Sequence, residues 1–222
     1  MATQRLTLAS ASPRRRRLLT WLGAPFEAVS TDTREDLGSP LRAVPPVLAR
    51  SLAADKARAA AAMSGPDAGT VLAFDTIVVL DRAVLGKPVD EADAWRMLRA
   101  LSGRTHQVVT GVAILAPGRA DPATFAVTTD VEMRELDDET IAGWLAGDEA
   151  LGCAGAYNIE RHLGSVAEGA CYQNVAGLPL CHLYQRLSLL GIEGLTPPAF
   201  ACDEARGCAC TLAPKVAPVP EA

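Results

Sequence analysis

Residues 70–80 read TVLAFDTIVVL, and this stretch decides the architecture that the sequence predicts. Apart from Asp75 and two threonines, the run is apolar at odd and even positions alike. Since neighbouring residues of a strand point to opposite faces, the pattern predicts a strand buried on both sides, at the centre of a sheet. A turn at Asp81–Ala83 then leads into AVLGKP, which predicts a hairpin partner for this strand.

Helical and strand patterns alternate on both sides of this central strand. RLTLAS and PFEAVSTD predict strands, while residues 46–63 and 90–103 predict helices. Further strands are expected in THQVVTGVAILA and ATFAVTTDVEMREL. A helix capped by Asp137 or Asp138 follows them, and NVAGLPLCHLYQRLSLLG predicts the last helix. The alternation predicts a single α/β unit.

The overall composition narrows the classes of function. The chain has 222 residues, which is enough to bury a sizeable core, and its formal net charge is -5. An acidic chain without a broad basic surface is not typical of proteins that bind nucleic acid or membrane surfaces. We find neither an apolar run of the roughly 20 residues that a membrane span needs nor a signal peptide, so a cytoplasmic protein is expected.

The C-terminal segment differs in composition from the rest. After Gly191 the sequence is rich in Pro, Ala and Gly, and we predict a flexible tail over residues 196–222. Three of the six cysteines, Cys202, Cys208 and Cys210, lie in this tail. Most isolated cysteines of reducing compartments act as small apolar residues. A metal site or a redox pair stays open, although the tail has neither a C-x-x-C spacing nor a neighbouring histidine.

Four consecutive arginines, residues 14–17, stand at a predicted helix start. Ser12 is a favourable N-cap and Pro13 fits the first helical position. Because a helix N-terminus carries partial positive charge, arginines are unfavourable there unless an anion binds. Arg14 and Arg15 lie one turn before a leucine pair, in line with the buried face, so a phosphate held by both would explain the arrangement. The alternative is a set of solvated surface charges.

Other charged residues stand at positions that are otherwise apolar. An ionised Asp75 inside the central strand is costly unless cations or a metal lie beside it, which would make it a metal ligand or general base rather than a structural ion-pair partner. Lys56 lies on the apolar stripe of the predicted helix, where it either extends to solvent or enters a cleft. Lys87 lies in the turn LGKP. Together with the arginines, these residues suit a polyphosphate and a divalent cation, and the chain contains no P-loop motif.

Six segments occur in an order that resembles the Maf family of nucleotide pyrophosphatases: LASASPRRRRLL, DKARA, AFDTIVVLDRAVLGKP, LSGRTHQVVTGVAI, CAGAYNIE and NVAGLPL. The resemblance covers about residues 5–190 and implies a Maf-like domain over residues 1–195. It further implies an α/β fold, a mixed sheet flanked by helices with two lobes around a cleft, related to the inosine-triphosphate pyrophosphatases. The implied reaction converts nucleoside triphosphates to the monophosphate and pyrophosphate with Mg²⁺ or Mn²⁺. Many members are dimers, which leaves a homodimer open.

The resemblance also assigns residues to the substrate phosphates. The family's S-P-R-R element falls on residues 12–15, so Ser12, Arg14 and Arg15 are expected to bind substrate. Its two lysines on the phosphate side fall on Lys56 and Lys87. The remaining two arginines of the run have no assigned role.

Two carboxylates complete the implied site. The Asp of the family's D-T motif is Asp75, the expected catalytic residue and metal ligand, and an acidic residue nine positions after a phenylalanine corresponds to Glu35, a second metal ligand. Asp75, or a metal-bound water that it orients, is expected to attack the α-phosphorus.

The base that such a site would select is ambiguous from the sequence. Thr76 resembles the dTTP/UTP type of the family. Glu160 stands where pyrimidine-specific members usually have Gln, and in this respect it resembles members that act on 7-methyl-GTP. A Gln can donate and accept hydrogen bonds, whereas an ionised Glu only accepts, so Glu160 would favour a base edge that offers N–H donors.

Hydrolysis of dTTP or UTP is the leading prediction, and two alternatives stay open. One is a housecleaning pyrophosphatase for modified nucleotides such as 7-methyl-GTP. The other is a nucleotide-binding regulator of cell division that does not cleave its ligand. Asp75 distinguishes such a binding protein from the two hydrolases, because the binding of a polyanion gains nothing from a carboxylate unless a metal is present.

Overall fold

The structure is a computed structural model that describes residues 5–31, 33, 36–147 and 149–216. These residues form seven strands and eight helices, joined in places by short 3₁₀ turns. The strands are β1 (Leu6–Ala9), β2 (Phe26–Val29), β3 (Thr70–Leu80), β4 (Ala83–Leu85), β5 (Thr105–Leu115), β6 (Ala123–Met133) and β7 (Gly164–Val166). The helices are α1 (Pro13–Thr20), α2 (Pro45–Ser64), α3 (Glu91–Leu101), α4 (Asp138–Leu145), α5 (Tyr172–Val175), α6 (Leu180–Leu189), α7 (Ala199–Arg206) and α8 (Ala213–Val216).

All seven strands belong to one mixed sheet. Its order is β2-β1-β3-β5-β6-β7, and β4 pairs with β3 outside this path. Strand β1 runs parallel to β2 and β3, whereas the remaining pairs are antiparallel. The predicted mixed sheet flanked by helices is therefore confirmed, and β3 is its central strand, as the apolar run at residues 70–80 predicts.

The two faces of β3 are covered by different helices. On one face, Ala73 and Ile77 join clusters formed with the alanines and leucines of α2. On the other face, Phe74 and Val78 join the main core, to which α1, α3 and α6 contribute their leucines. Alternation along the strand therefore directs Asp75 towards α2, and it directs Thr76 towards the opposite side.

A glycine allows α2 to lie directly against the sheet. Gly111 in β5 is the cross-strand partner of Asp75. A Cβ atom at Gly111 would lie 2.1 Å from the carbonyl oxygen of Ala49 in α2, which is far inside van der Waals contact. The absence of a side chain thus brings this helix, with Lys56 on the same face two turns later, close to the aspartate.

The predicted hairpin after β3 is also confirmed. Asp81 and Arg82 both have positive φ, 48° and 67°, and form a two-residue connection to β4. Positive φ at both central residues is the geometry of a type I′ turn, whose twist matches that of paired strands. The turn ends the central strand and leads the chain back towards Lys87.

The structure describes the C-terminal segment, for which the composition predicts a flexible tail over residues 196–222, as far as residue 216. Residues 199–206 and 213–216 form helices α7 and α8. Cys202 and Ala213 are buried, the latter beside Cys181 of α6, and Arg206 lies over the ring of Tyr172 at 5.6 Å. Small residues, Ala199, Cys210 and Ala213, supply apolar contacts of this segment. Among the described residues, no helix is long and apolar enough to span a membrane.

Candidate active site

A cleft of about 650 Å³ opens at a gap along one edge of β3. Strand β1 pairs with β3 as far as Ala73, and β4 pairs with it from Val78 onwards. In the described part of the chain, no strand pairs with residues 74–77 on this side, so the cleft reaches the sheet between the two neighbours. Both Asp75 and Thr76 line it.

Helix α1 begins at this gap, directly after β1. The hydroxyl of Ser12 accepts a hydrogen bond from the backbone N–H of Arg15, at 3.4 Å, and Pro13 occupies the first turn, so both predicted start signals are confirmed. The four arginines then separate by exposure. Arg14 and Arg15 are half-buried and line the cleft, whereas the next two are exposed. The helix geometry therefore directs two cations, together with the N-terminal N–H groups, into one cavity.

The guanidinium of Arg15 is held by groups from two separate segments, β3 and the turn after α5. Its Nε donates to the carbonyl oxygen of Gly177 at 2.9 Å, and its Nη2 donates to the hydroxyl of Thr76 at 2.9 Å. The group also lies 5.9 Å from the centre of the buried Phe74 ring. A planar guanidinium with several fixed partners is preorganised, so less entropy is lost when it binds an anion.

Asp75 and Lys56 form an ion pair at the floor of the cleft. The side chain of Asp75 is 2% exposed and that of Lys56 is 13% exposed. Among the alternatives for Lys56, the structure supports entry into a cleft rather than extension to solvent. A buried carboxylate is tolerated here because an ammonium group offsets its charge.

Lys87, in the loop after β4, also lines the cleft. Its loop is anchored to the CAGAYNIE segment, because the N–H of Gly155 donates to the carbonyl oxygen of Gly86 at 2.9 Å. Gly155 has φ +67°, and a Cβ atom there would lie 2.9 Å from Val78, so only glycine fits without displacement. This anchor keeps the lysine loop and the CAGAYNIE segment together.

The same segment contributes cleft residues that the sequence analysis did not select. Cys153 accepts a hydrogen bond from Nη1 of Arg14 at 3.2 Å and donates to the carbonyl oxygen of Glu149 at 3.1 Å. Hydrogen bonds from Arg161 and Asn158 lower the pKa of the Glu149 carboxyl, so it is ionised at neutral pH. The motif CAGAYNIE was the available signal for this wall, although the motif alone does not say which residues enter the cleft.

Tyr157, from the same motif, links the cleft to the interior. Its hydroxyl lies 2.7 Å from Nε2 of His106, and both rings are buried. Burial lowers the pKa of His106 to about 4 and raises the pKa of Tyr157. Both groups are therefore neutral at physiological pH, and they form a rigid support rather than a proton-transfer pair.

Glu160 lies apart from the other predicted substrate residues. It forms an ion pair with Arg17 and is not among the residues that line the cleft. The pairing gives Arg17, which had no role in the sequence analysis, a partner outside the cavity. The other predicted metal ligand, Glu35, lies outside the described residues.

The described residues do not contain a complete protein cage for a metal ion. No group of three or more His, Cys, Asp or Glu side chains in the described ranges is arranged to hold one. The carboxylates that line the cleft there are Asp75 and Glu149. Mg²⁺ commonly uses only one or two carboxylates together with substrate phosphates and water, so the donor set fits a metal that arrives with a triphosphate.

This chain is similar to one protein family and to named relatives. The sequence pattern of the family described as Maf-like protein matches residues 5–190. A protein of Xanthomonas oryzae pv. oryzae named dTTP/UTP pyrophosphatase is 45% identical over 199 residues, which cover 84% of this chain and 98% of that protein. A protein of the same name from Ruminiclostridium cellulolyticum is 40% identical, over 83% of this chain and 95% of its own. A solved nucleoside-triphosphatase / dITP/XTP pyrophosphatase from Mycobacterium abscessus aligns with a TM-score of 0.40 and 18% identity, over 60% of this chain and 75% of that chain.

Proposed function

The chain belongs to the Maf-like protein family, and from this premise we propose that it hydrolyses dTTP and UTP to the nucleoside monophosphate and pyrophosphate. The names of the relatives at 40–45% identity support a pyrimidine nucleotide as substrate. We assign the activity to the domain of residues 1–195, in the cytoplasm, and include a homodimer in the proposal.

One observation carries the proposal of an enzyme over that of a binding protein. The buried carboxylate of Asp75 lies at the floor of a cleft that is also lined by four cations, Arg14, Arg15, Lys56 and Lys87. A protein that only binds a polyanion loses affinity through such a carboxylate, because like charges repel in a site of low polarity. A hydrolase, in contrast, needs a group that binds metal or accepts a proton beside the phosphates.

Four cations on separate elements would bind the triphosphate. Arg14 and Arg15 reach the cleft from the start of α1, where the backbone N–H groups behind Ser12 add partial positive charge. Lys56 and Lys87 approach from α2 and from the loop after β4. Groups on separate elements can contact different phosphates of one chain and stabilise the charge that develops on the departing pyrophosphate.

A divalent cation, Mg²⁺ or Mn²⁺, would be held by Asp75 and, as the family resemblance implies, by Glu35. When bound, it would neutralise phosphate charge and polarise the bonds to phosphorus. Asp75 orients the water that attacks the α-phosphorus and accepts its proton at a carboxylate oxygen. Lys56 offsets the negative charge of Asp75 and, as a cation that lines the cleft, would bind a phosphate oxygen.

The alternative substrate class, modified nucleotides such as 7-methyl-GTP, depended on Glu160. Because that carboxylate pairs with Arg17 and does not line the cleft, its charge is already balanced away from the cavity. We therefore propose the pyrimidine substrates and assign no base contact to Glu160.

A substrate panel tests the proposal. The purified chain is assayed with Mg²⁺ or Mn²⁺ against dTTP, UTP, CTP, GTP and 7-methyl-GTP, with pyrophosphate and orthophosphate detected separately. We expect pyrophosphate from dTTP and UTP, and a loss of about 10³-fold or more in kcat for Asp75→Asn. The control Asp121→Asn, at an 83% exposed side chain paired with Arg58, should retain wild-type rates. Release of orthophosphate alone, or a fully active Asp75→Asn, would refute the proposal.

A further inference from the structure

A directional chain of hydrogen bonds runs from Arg15 into the interior of the sheet. Nη2 of Arg15 donates to the hydroxyl of Thr76, whose oxygen lies 2.9 Å from the hydroxyl oxygen of Thr110. The hydroxyl of Thr110 donates to the carbonyl oxygen of Asn174 at 3.0 Å, and a carbonyl can only accept. The single hydroxyl hydrogen of Thr110 is donated to Asn174. In the contact between the two threonines, the hydroxyl of Thr76 must therefore be the donor and that of Thr110 the acceptor. Every donor in the chain therefore points away from the arginine.

The inner end of this chain is fully enclosed. Thr110 and Asn174 both have 0% exposure. The amide nitrogen of Asn174 donates to the carbonyl oxygen of Val108 and to the hydroxyl of Thr129, each at 3.1 Å. Aligned hydrogen bonds in an environment of low polarity strengthen one another. These hydrogen bonds therefore hold the Arg15 side chain rigidly, because their inner end is shielded from solvent.

The sheet register brings the chain together. Thr76 and Thr110 are direct cross-strand partners in β3 and β5, so their side chains lie side by side on one face. Asn174 reaches them from α5, in the segment NVAGLPL. Gly177, from the same segment, places its carbonyl oxygen on Nε of Arg15. The segment thus fixes the guanidinium twice, once directly and once through the two threonines.

We propose that Thr76, Thr110 and Asn174 are positioning residues that orient Arg15 for the triphosphate, and that Thr76 does not select the base. The inference rests on the proposed nucleotide substrate but assigns a different role to Thr76 from that of a base-selecting residue. The hydroxyl of Thr76 is engaged on one side by Arg15 and on the other by Thr110. A hydroxyl has one hydrogen, and that of Thr76 is already used within the chain, so it cannot also be donated to a base.

A probe without a base separates the two roles. Binding of inorganic tripolyphosphate is measured by calorimetry with a chelator present, so that no turnover occurs. We expect Thr76→Val to weaken binding by about tenfold, because the arginine must then be ordered at the moment of binding. Thr110→Val should also weaken tripolyphosphate binding. Thr76→Ser, which keeps the hydroxyl, should bind tripolyphosphate with most of the wild-type affinity. Thr128→Val, at an exposed threonine of β6, is the matched control and should bind as the wild type does.

Steady-state kinetics add a double-mutant cycle. In the wild-type background, Thr76→Val should lower kcat/KM for dTTP and GTP by the same factor, so that their ratio is unchanged. In an Arg15→Lys background, the same substitution should have no further effect, because two residues that act through one interaction are not additive.

The outcomes distinguish this inference from the proposed function. Unchanged tripolyphosphate affinity of Thr76→Val, together with a shift of tenfold or more in the dTTP-to-GTP ratio, would overturn the positioning role and make Thr76 a base-selecting residue. Multiplicative effects in the cycle would overturn it as well. If the wild type cleaves no nucleotide but Thr76→Val still weakens the binding of tripolyphosphate tenfold, the proposed function fails and the positioning role stands.

Discussion

Gly177→Ala is the substitution that most sharply tests how the arginine is held. Gly177 has φ +96°, a region that residues with a side chain rarely adopt. An added Cβ atom would lie 3.3 Å from Nε of Arg15 and 3.4 Å from the hydroxyl oxygen of Thr76. The methyl group would therefore push on the two groups whose hydrogen bonds orient the guanidinium.

Two separate effects determine the magnitude. The backbone strain of a non-glycine residue in the left-handed region costs about 1–2 kcal/mol, which corresponds to a decrease of roughly 2–8 °C in Tm for a chain of this size. The displaced guanidinium weakens a hydrogen bond made by a charged group, whose contribution is about 1.5–3 kcal/mol, or roughly 10- to 150-fold in kcat/KM. Stability and activity should therefore both decrease, for different reasons.

Gly118→Ala separates these effects. Gly118 has a similar positive φ, +73°, but a Cβ atom there would meet no described atom within 4 Å. Thermal unfolding and initial rates of pyrophosphate release from dTTP are measured for both variants. Both should lose Tm to a comparable extent, and only Gly177→Ala should lose activity. A Gly177→Ala variant that unfolds at the same temperature as Gly118→Ala but keeps wild-type kcat/KM would refute the coupling between this glycine and Arg15.

Three further predictions concern the arginines, a buried histidine and the thiols. Arg14→Ala should lower kcat/KM for dTTP by about tenfold or more, since it removes a charge-assisted contact, while the exposed Arg16→Ala should stay within about twofold in the same assay. Burial lowers the pKa of His106 from 6.5 to about 4, so the unfolded chain binds a proton between these values and the folded chain does not. The free energy of unfolding in urea should therefore fall by about 2 kcal/mol from pH 7 to pH 5, and His106→Gln should lack most of this decrease. A thiol reagent should react rapidly with the native protein chiefly at the exposed Cys208, because the other cysteines are wholly or partly buried, and Cys208→Ser should remove the fast phase.

Much of the site could be predicted because single residues conflicted with their local pattern. Asp75 interrupts an apolar strand, Lys56 interrupts an apolar helix face, and a helix beginning with arginines opposes its own dipole. Each conflict has a cost that a polyanion or a neighbouring charge offsets. The structure brings these residues, with Arg14 and Arg15, into one cleft.

The remaining features depend on register and on chain segments far apart in sequence. Thr110 and Asn174 are 64 residues apart, and neither is unusual in its local sequence. Only the pairing of β3 with β5 and the docking of α5 place them behind Arg15. Glu160 illustrates the opposite case, because a prominent departure from the family motif turns towards Arg17 and away from the cleft.

In the proposed reaction, this cleft directs water to the α-phosphorus of a pyrimidine nucleoside triphosphate. Hydrolysis of dTTP in water enriched in oxygen-18, followed by mass spectrometry of both products, tests it most directly. We expect the label to enter thymidine monophosphate and the pyrophosphate to be unlabelled. Label in the pyrophosphate, or release of orthophosphate in its place, would contradict attack at the α-phosphorus.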